Sequence, residues 1–166
     1  EAAVRGAAGL PLAAAIIEEI EAGDVDQDLE AQGRIVTQRA RDLEQVGIAA
    51  VTVHGRWTVQ LFSGKADWVR IGEVVQAVRD IPVIGNGDVT LPQHVVDLQR
   101  ASGCHGVMIG RGALRTPWMF AQAHELLKTG VTGPEPTQRQ KVACILRHLE
   151  LLERYRARYQ ELFGDD

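Results

Sequence analysis

Residues 81–88 have the sequence Ile81-Pro82-Val83-Ile84-Gly85-Asn86-Gly87-Asp88, a short apolar run that ends in small and polar residues. Two more runs of this kind occupy residues 50–54 and 106–110. Branched apolar residues bounded by Gly or Pro are typical of strands that are buried on both faces. The sequence therefore predicts three buried strands.

Helical patterns lie between and around these runs. Apolar residues repeat at steps of three and four over residues 35–46, 68–78 and 95–101. Strand, helix and strand at intervals of roughly 25 to 30 residues predict right-handed βαβ units, and hence a parallel sheet with helices on its faces. We therefore expect an α/β fold.

The pattern changes after Pro134 and Pro136, where a long helical pattern begins near Thr137. We expect an α/β part over residues 1–133 and a helical segment over residues 134–166. The 166-residue chain is 45% hydrophobic, which is enough to bury a core. Its net charge of −4 argues against a globally basic nucleic-acid binder, so any contact with RNA has to be local.

The two cysteines, Cys104 and Cys144, have no second Cys or His at metal-ligand spacing. This spacing argues against a zinc site and against a disulfide framework, and it favours a reduced, cytoplasmic protein. The apolar run at residues 10–17 is too short to cross a bilayer and is followed by acidic residues, so we expect no membrane insertion. The chain opens on Glu1 within a helical pattern, which suggests a fragment.

The predicted strands all end in polar or glycine-rich residues, and in parallel α/β sheets the ligand site lies beyond these carboxyl ends. Small residues let the backbone approach a ligand, and Arg111 adds a fixed positive group. Two consecutive late strands of this kind predict a phosphate site. The candidate residues are His54 and Arg56 after the first strand, Asn86, Gly87 and Asp88 after the second, and Gly110, Arg111 and Gly112 after the third.

Each candidate also has a purely structural interpretation. The glycines at the last two strand ends could serve only tight turns. His54 could be a satisfied core histidine, and Asn86 could be a turn-forming amide. Arg56 could be a solvated loop charge, and Asp88 could only cap a turn. The sequence alone leaves these alternatives open.

Three motifs resemble those of the tRNA-dihydrouridine synthases. The first is Val-His-Gly-Arg at residues 53–56, followed by Gln-Leu-Phe-Ser-Gly-Lys-Ala-Asp-Trp at residues 60–68. The second is the 81–88 run, and the third is Cys-His-Gly-Val-Met-Ile-Gly-Arg-Gly-Ala-Leu at residues 104–114, followed by Pro117, Trp118 and Phe120. Three motifs in the family's order make the resemblance specific.

The resemblance implies the C-terminal half of a (β/α)8 TIM barrel and the start of a helical tRNA-binding domain. It implies an FMN-dependent enzyme that reduces uridine in tRNA to 5,6-dihydrouridine, with NADPH as the reductant. In that family His54 would contact FMN, and its ribityl phosphate would be held by Asn86, Gly87, Gly110 and Arg111. Asp88 and Gly112 carry over less directly. Independently of the resemblance, the position of Arg56 after the first strand indicates that it could neutralise a phosphate or an RNA backbone.

The basic residues of the helical tail would contact tRNA phosphates, or they form an ordinary solvated helix face. These residues are Arg139, Lys141, Arg147, Arg154, Arg156 and Arg158.

The chain also departs from the family pattern. The family's catalytic cysteine lies in the first barrel half, outside this chain, so we assign no catalytic residue and expect the chain alone to be inactive. The family's Lys-Ile-Arg strand has no counterpart at residues 12–17, which contain neither Lys nor Arg, so we expect that strand to have been replaced. The acidic residues 18–32 predict a helix or an irregular loop.

Two other functions stay open. One is a non-catalytic half-barrel that docks a separately encoded first half or self-associates through exposed sheet edges. The other is a different FMN-dependent TIM-barrel oxidoreductase.

Overall fold

A computed structural model describes residues 15–17, 29–56 and 63–164. Within these ranges four parallel strands form one sheet, in the order β1-β2-β3-β4. The strands are β1 (Ala15–Ile17), β2 (Val51–His54), β3 (Val83–Asn86) and β4 (Gly106–Met108). The three strands that the sequence predicted are present and lie next to one another.

Each parallel pair of strands is joined by a crossover helix. These helices are α1 (Leu29–Gln45), α2 (Trp68–Ala77) and α3 (Pro92–Ser102). Three more helices follow β4, namely α4 (Arg111–Arg115), α5 (Met119–Thr129) and α6 (Gln138–Phe163). Sequential strands that neighbour one another through helical crossovers are the repeating unit of an α/β fold, and this prediction is confirmed.

The strand β1 is a correction to the sequence analysis, which expected a replaced strand near residues 12–17. Ala15 pairs with Val51 and Ile17 pairs with Val53 in the parallel register. A strand can form there without Lys or Arg because the ladder is made by backbone groups. Residues 1–14 and 18–28 lie outside the described residues, and α1 begins at Leu29, earlier than the pattern at 35–46 indicated.

The core lies between the sheet and the crossover helices. Val51 and Val83 from the strands, Ile71 and Val74 from α2, and Leu98 from α3 are each at most 1% exposed. Burial of an aliphatic side chain of this size contributes about 1.5–3 kcal/mol. The sheet and the crossover helices are therefore fixed to one another.

Glu44, in the last turn of α1, holds the loop that leads into β3. Its carboxylate accepts hydrogen bonds from the backbone N–H groups of Asp80 at 2.6 Å and Arg79 at 2.7 Å, with a longer one from Ile81 at 3.3 Å. These donors lower the pKa of Glu44, and the Asp80 N–H contributes most. The start of β3 is thereby tied to the end of α1.

The chain divides into two compact units, Glu1–Gly133 and Pro134–Asp166. In the second unit α6 begins with a capping box, in which the Thr137 hydroxyl accepts from the Gln140 N–H and the Gln140 side chain accepts from the Thr137 N–H. Among the described residues no helix is long and apolar enough to cross a membrane. The roles of the two units as cofactor-binding and tRNA-binding domains stay predictions.

Gly85 is expected to tolerate no side chain. A Cβ there would lie 2.5 Å from Cδ2 of Leu98 and 3.0 Å from Sγ of Cys104, and both of these side chains are buried. We expect Gly85→Ala to lower the free energy of unfolding in urea by about 1–3 kcal/mol. Gly106→Ala is the matched control, because its nearest contact would be Ile84 at 3.8 Å, and it should stay within about 0.5 kcal/mol of the wild type. Equal losses in the two variants would contradict the prediction.

Candidate functional site

The carboxyl ends of β2, β3 and β4 lie side by side. His54 pairs with Asn86, and Asn86 pairs with Met108, in the parallel register of the three strands. Because the strands are parallel, the loops that follow them leave the same edge of the sheet. The polar and glycine-rich residues that the sequence singled out are therefore brought together there.

The side chain of Asn86 joins all three strand ends. Its Oδ1 lies 2.6 Å from Nδ1 of His54, and its Nδ2 donates to the carbonyl oxygen of Met108 at 2.8 Å. Asn86 therefore does more than form a turn, and it holds the half-buried His54 ring in place.

Arg56 is buried and ion-paired, which corrects its interpretation as a solvated loop charge. Its side chain is 4% exposed, and its Nη2 donates to both carboxylate oxygens of Asp88 at 2.8 Å. The guanidinium also donates to the backbone carbonyls of Ser63 and Gly64. Within the described part of the chain, its buried Nη1 has no hydrogen-bond partner. A buried, unsatisfied guanidinium N–H is costly and marks a position where an acceptor would be stabilised.

Asp88 links Arg56 to the third strand end. It accepts a hydrogen bond from the backbone N–H of Ala66 at 2.8 Å, and its Oδ1 lies 3.7 Å from Nη2 of Arg111. Partial burial acts to raise the pKa of Asp88, but the Ala66 N–H and the charge of Arg56, assisted by Arg111, outweigh burial and lower this pKa. Asp88 is thus an ionised junction between two cations and not only a turn cap.

The backbone of Asp88 is in the left-handed region, with φ of 54°. Asp is one of the few non-glycine residues that tolerate this conformation. Its two ion-pair partners and the Ala66 N–H hold the carboxylate on the side where the loops converge.

The glycines of the site have different roles. Gly87 has φ of 130°, and a Cβ there would lie 2.6 Å from Cβ of Ala66. A Cβ at Gly112 would collide with the carbonyl oxygen of Val89. Packing within the protein therefore accounts for both of these glycines. A Cβ at Gly110 would meet nothing within 4 Å among the described residues, so the backbone there borders open space.

Two residues at this edge were not among the predicted site residues. Nε1 of Trp68 donates to the carbonyl oxygen of Gly87 at 2.9 Å, and Nδ1 of His94 lies 3.1 Å from the carbonyl oxygen of Asp88. The two rings are 6.1 Å apart. Trp68 could have been found from its position at the end of the Ala-Asp-Trp motif, whereas no local pattern pointed to His94. Residues 57–62, which include Gln-Leu-Phe at the start of the 60–68 run, lie outside the described residues.

Metal-binding residues are not clustered in the described ranges, where no three His, Cys, Asp or Glu side chains come together. Cys104 is buried and Cys144 is half-buried, and both are free thiols.

The parallel sheet, its crossover helices and the strand-end site define an α/β protein with its candidate site at the carboxyl edge of the sheet. The family model for dihydrouridine synthases matches residues 25–163. The chain belongs to the dihydrouridine synthase family. Its fold is therefore a partial (β/α) barrel followed by a helical segment, as the sequence predicted.

The chain is also similar to named members of this family. It is 37% identical over 166 residues to a probable tRNA-dihydrouridine synthase of Mycobacterium tuberculosis (strain H37Rv), which covers 99% of this chain and 39% of that protein. It is 41% identical over 116 residues to a probable tRNA-dihydrouridine synthase of Rickettsia bellii, and the match covers 70% of this chain and 35% of that protein. It is 38% identical over 125 residues to tRNA-dihydrouridine synthase B of Pseudomonas putida, and this match covers 75% of the chain and 36% of that protein. The chain thus spans well under half the length of these relatives.

Asp88→Asn should destabilise the protein because it leaves the Arg56 guanidinium buried without its counter-charge. We expect the free energy of unfolding at neutral pH to fall by about 1–3 kcal/mol. Glu73→Gln is the control, since it removes a more exposed ion pair with Arg70 and should cost less than about 0.5 kcal/mol.

The Asp88→Asn variant should also lose less of its free energy of unfolding than the wild type when the pH falls. The pKa of Asp88 is lower in the folded chain, so the ionised group stabilises the fold above the ordinary carboxylate range, and this contribution is lost as the pH falls below about 4. Urea titrations between about pH 6 and pH 3 should show a steeper loss for the wild type than for Asp88→Asn. Parallel curves would count against the lowered pKa.

Proposed function

We propose that this chain is the C-terminal part of an FMN-dependent tRNA-dihydrouridine synthase, an oxidoreductase that reduces uridine in tRNA to 5,6-dihydrouridine with NADPH as the reductant. Its family membership supports the reaction. The observation that carries the cofactor assignment is the contact between the ends of β3 and β4, where Nη2 of Arg111 lies 3.7 Å from Oδ1 of Asp88. A single phosphoryl group can therefore reach both strand ends.

The residues at this edge fit a phosphate. Two cations, Arg56 and Arg111, face the Asp88 carboxylate, so both arginines lie where the strand ends meet. The side chain of Arg111 is 61% exposed and is accessible to an anion. Gly110 offers backbone beside open space among the described residues. A dianionic phosphate supplies both the charge and the acceptors.

The chain's own residues would bind and orient the cofactor. Arg111 and the backbone at Gly87 and Gly110 would hold the ribityl phosphate, while Asn86, Asp88, Arg56 and Gly112 keep the loops in position. His54 would contact the flavin. When bound, FMN supplies the hydride chemistry, and the protein contributes position and electrostatics.

The tRNA partner is proposed from the family and from the helical tail. Lys141 pairs with Glu135 at 3.2 Å and Arg147 pairs with Glu150 at 3.1 Å, so part of the basic charge of α6 is balanced locally. Arg139, Arg154, Arg156 and Arg158 are exposed and are the better candidates for phosphate contacts. The target uridine has to leave its stack to reach a flavin, as in other enzymes that act on bases. We infer a cytoplasmic location for such an enzyme.

Arg111→Ala should weaken FMN binding. The loss of a charge-assisted contact to phosphate is expected to raise the Kd for FMN by about tenfold or more, measured by quenching of flavin fluorescence. Arg115→Ala is the matched control, because Arg115 is an exposed arginine in the same helix, and its Kd should stay within about twofold of the wild type. FMN binding that is equal in all three proteins, or absent from the wild type, would refute the proposed site.

The 166-residue chain is expected to be inactive alone. The cysteine that the family resemblance assigns to proton donation lies in the first barrel half, which this chain does not contain. Incubation with unmodified tRNA, FMN and NADPH should give no dihydrouridine above background when nucleosides are analysed by mass spectrometry. Formation of dihydrouridine would contradict this expectation.

A non-catalytic half-barrel is the second candidate function. Within the described sheet, β1 and β4 each have a strand neighbour on one side only. Open edges of this kind can pair with another chain, either a second copy or a separately encoded first half. Sedimentation of the pure chain distinguishes the two candidates, because a stable monomer would count against assembly. Family membership gives no support to a different FMN-dependent barrel oxidoreductase.

A further inference from the structure

A hydrogen-bonded row crosses the three strand ends at His54, Asn86 and Met108. These residues are in register with one another in the parallel sheet. Nδ2 of Asn86 lies 2.8 Å from the carbonyl oxygen of Met108, and its Oδ1 lies 2.6 Å from Nδ1 of His54. The row therefore runs from a backbone group of β4 to a side chain of β2.

The chemistry of the row fixes the position of each proton. The Met108 carbonyl can only accept, so the Asn86 atom facing it has to be the amide nitrogen. The opposite atom of the same amide is then the oxygen, which also can only accept. A contact of 2.6 Å between this oxygen and Nδ1 of His54 requires a proton on Nδ1. The alternative tautomer would set two lone pairs against each other at that distance.

We propose that Asn86 is a positioning residue that holds the neutral His54 ring in its Nδ1–H tautomer. Nε2 then carries a lone pair, and within the described part of the chain it has no hydrogen-bond partner. The neutral ring therefore accepts at Nε2 from a hydroxyl or N–H group of the ligand, and it donates there only after it gains a proton. The identity of that ligand as a flavin nucleotide rests on the proposed function, whereas the tautomer itself does not.

The chain contains an internal control with the opposite tautomer. Nδ1 of His105 lies 3.2 Å from the backbone nitrogen of Val83, whose N–H can only donate. Nδ1 of His105 is therefore an acceptor, and the neutral ring carries its proton on Nε2. His54, at the end of β2, and His105, just before β4, should thus show opposite protonation patterns in one sample.

Long-range proton–nitrogen NMR correlation of the 15N-labelled chain, at about pH 8 where an ordinary histidine is neutral, tests the proposal. Loss of one ring signal in His54→Gln and of another in His105→Gln assigns the two residues. For His54 we expect the chemical shift of a protonated nitrogen at Nδ1 and that of an unprotonated nitrogen at Nε2. For His105 we expect the reverse. An Nε2–H tautomer of His54 in the wild type would overturn the proposal without any further variant.

Two substitutions of Asn86 separate its role from general packing. Asn86→Leu has the same number and branching of side-chain heavy atoms but no acceptor, and we expect the His54 nitrogen shifts to move toward the Nε2–H pattern while those of His105 stay unchanged. Asn86→Asp keeps an acceptor opposite Nδ1, and we expect it to retain the proton there. An unchanged His54 pattern in folded Asn86→Leu would overturn the assignment to Asn86.

Addition of FMN to the same sample distinguishes failure of this inference from failure of the proposed function. If His54 shows the expected tautomer and its signals do not move at saturating FMN, the tautomer is confirmed and the proposed flavin site is refuted. If the His54 ring carries its proton on Nε2 and FMN shifts that signal, the proposed flavin site is supported and the positioning role of Asn86 is refuted.

Discussion

The parallel register of β2, β3 and β4 is the constraint on which the site depends. It places His54, Asn86 and Met108 in one row, so that one amide side chain can contact both neighbouring strands. A shift of one residue would turn Asn86 to the other face of the sheet and break both contacts. The buried positions of the same strands, such as Val51 and Val83, resist this shift because it would expose them.

The second element of the site is the charge balance around Asp88. A buried guanidinium such as that of Arg56 needs a counter-charge, and the Asp88 carboxylate supplies it. The same carboxylate lies 3.7 Å from Arg111, which connects the loop after β3 to the start of α4. The proposed phosphate site rests on these two arginines, which lie at neighbouring strand ends.

The sequence predicted the strands and the edge at which the site lies, but not the contacts within it. Runs such as residues 81–88 combine buried branched residues with a polar end, and this local pattern is enough to place a strand and its loop. The short β1 was missed because its Ala-Ile-Ile lies in an alanine-rich stretch that has no strand-like boundaries. The Arg56–Asp88 pair joins residues 32 positions apart, so only the folded sheet brings the two together.

The glycines show why a motif can predict a site and still misassign its parts. Four glycines at the strand ends looked equivalent in the sequence. In the structure the absence of a side chain at Gly85 lets α3 pack against the sheet. The absence of a side chain at Gly87 leaves room for Ala66, and at Gly112 it leaves room for the backbone of Val89. Only the surroundings of Gly110 are open among the described residues. Close packing of the protein thus fixes three of the four, and this packing brings the loops together. The glycine pattern is therefore first a requirement of packing, and it bears on a ligand only because the packed loops meet at one edge of the sheet.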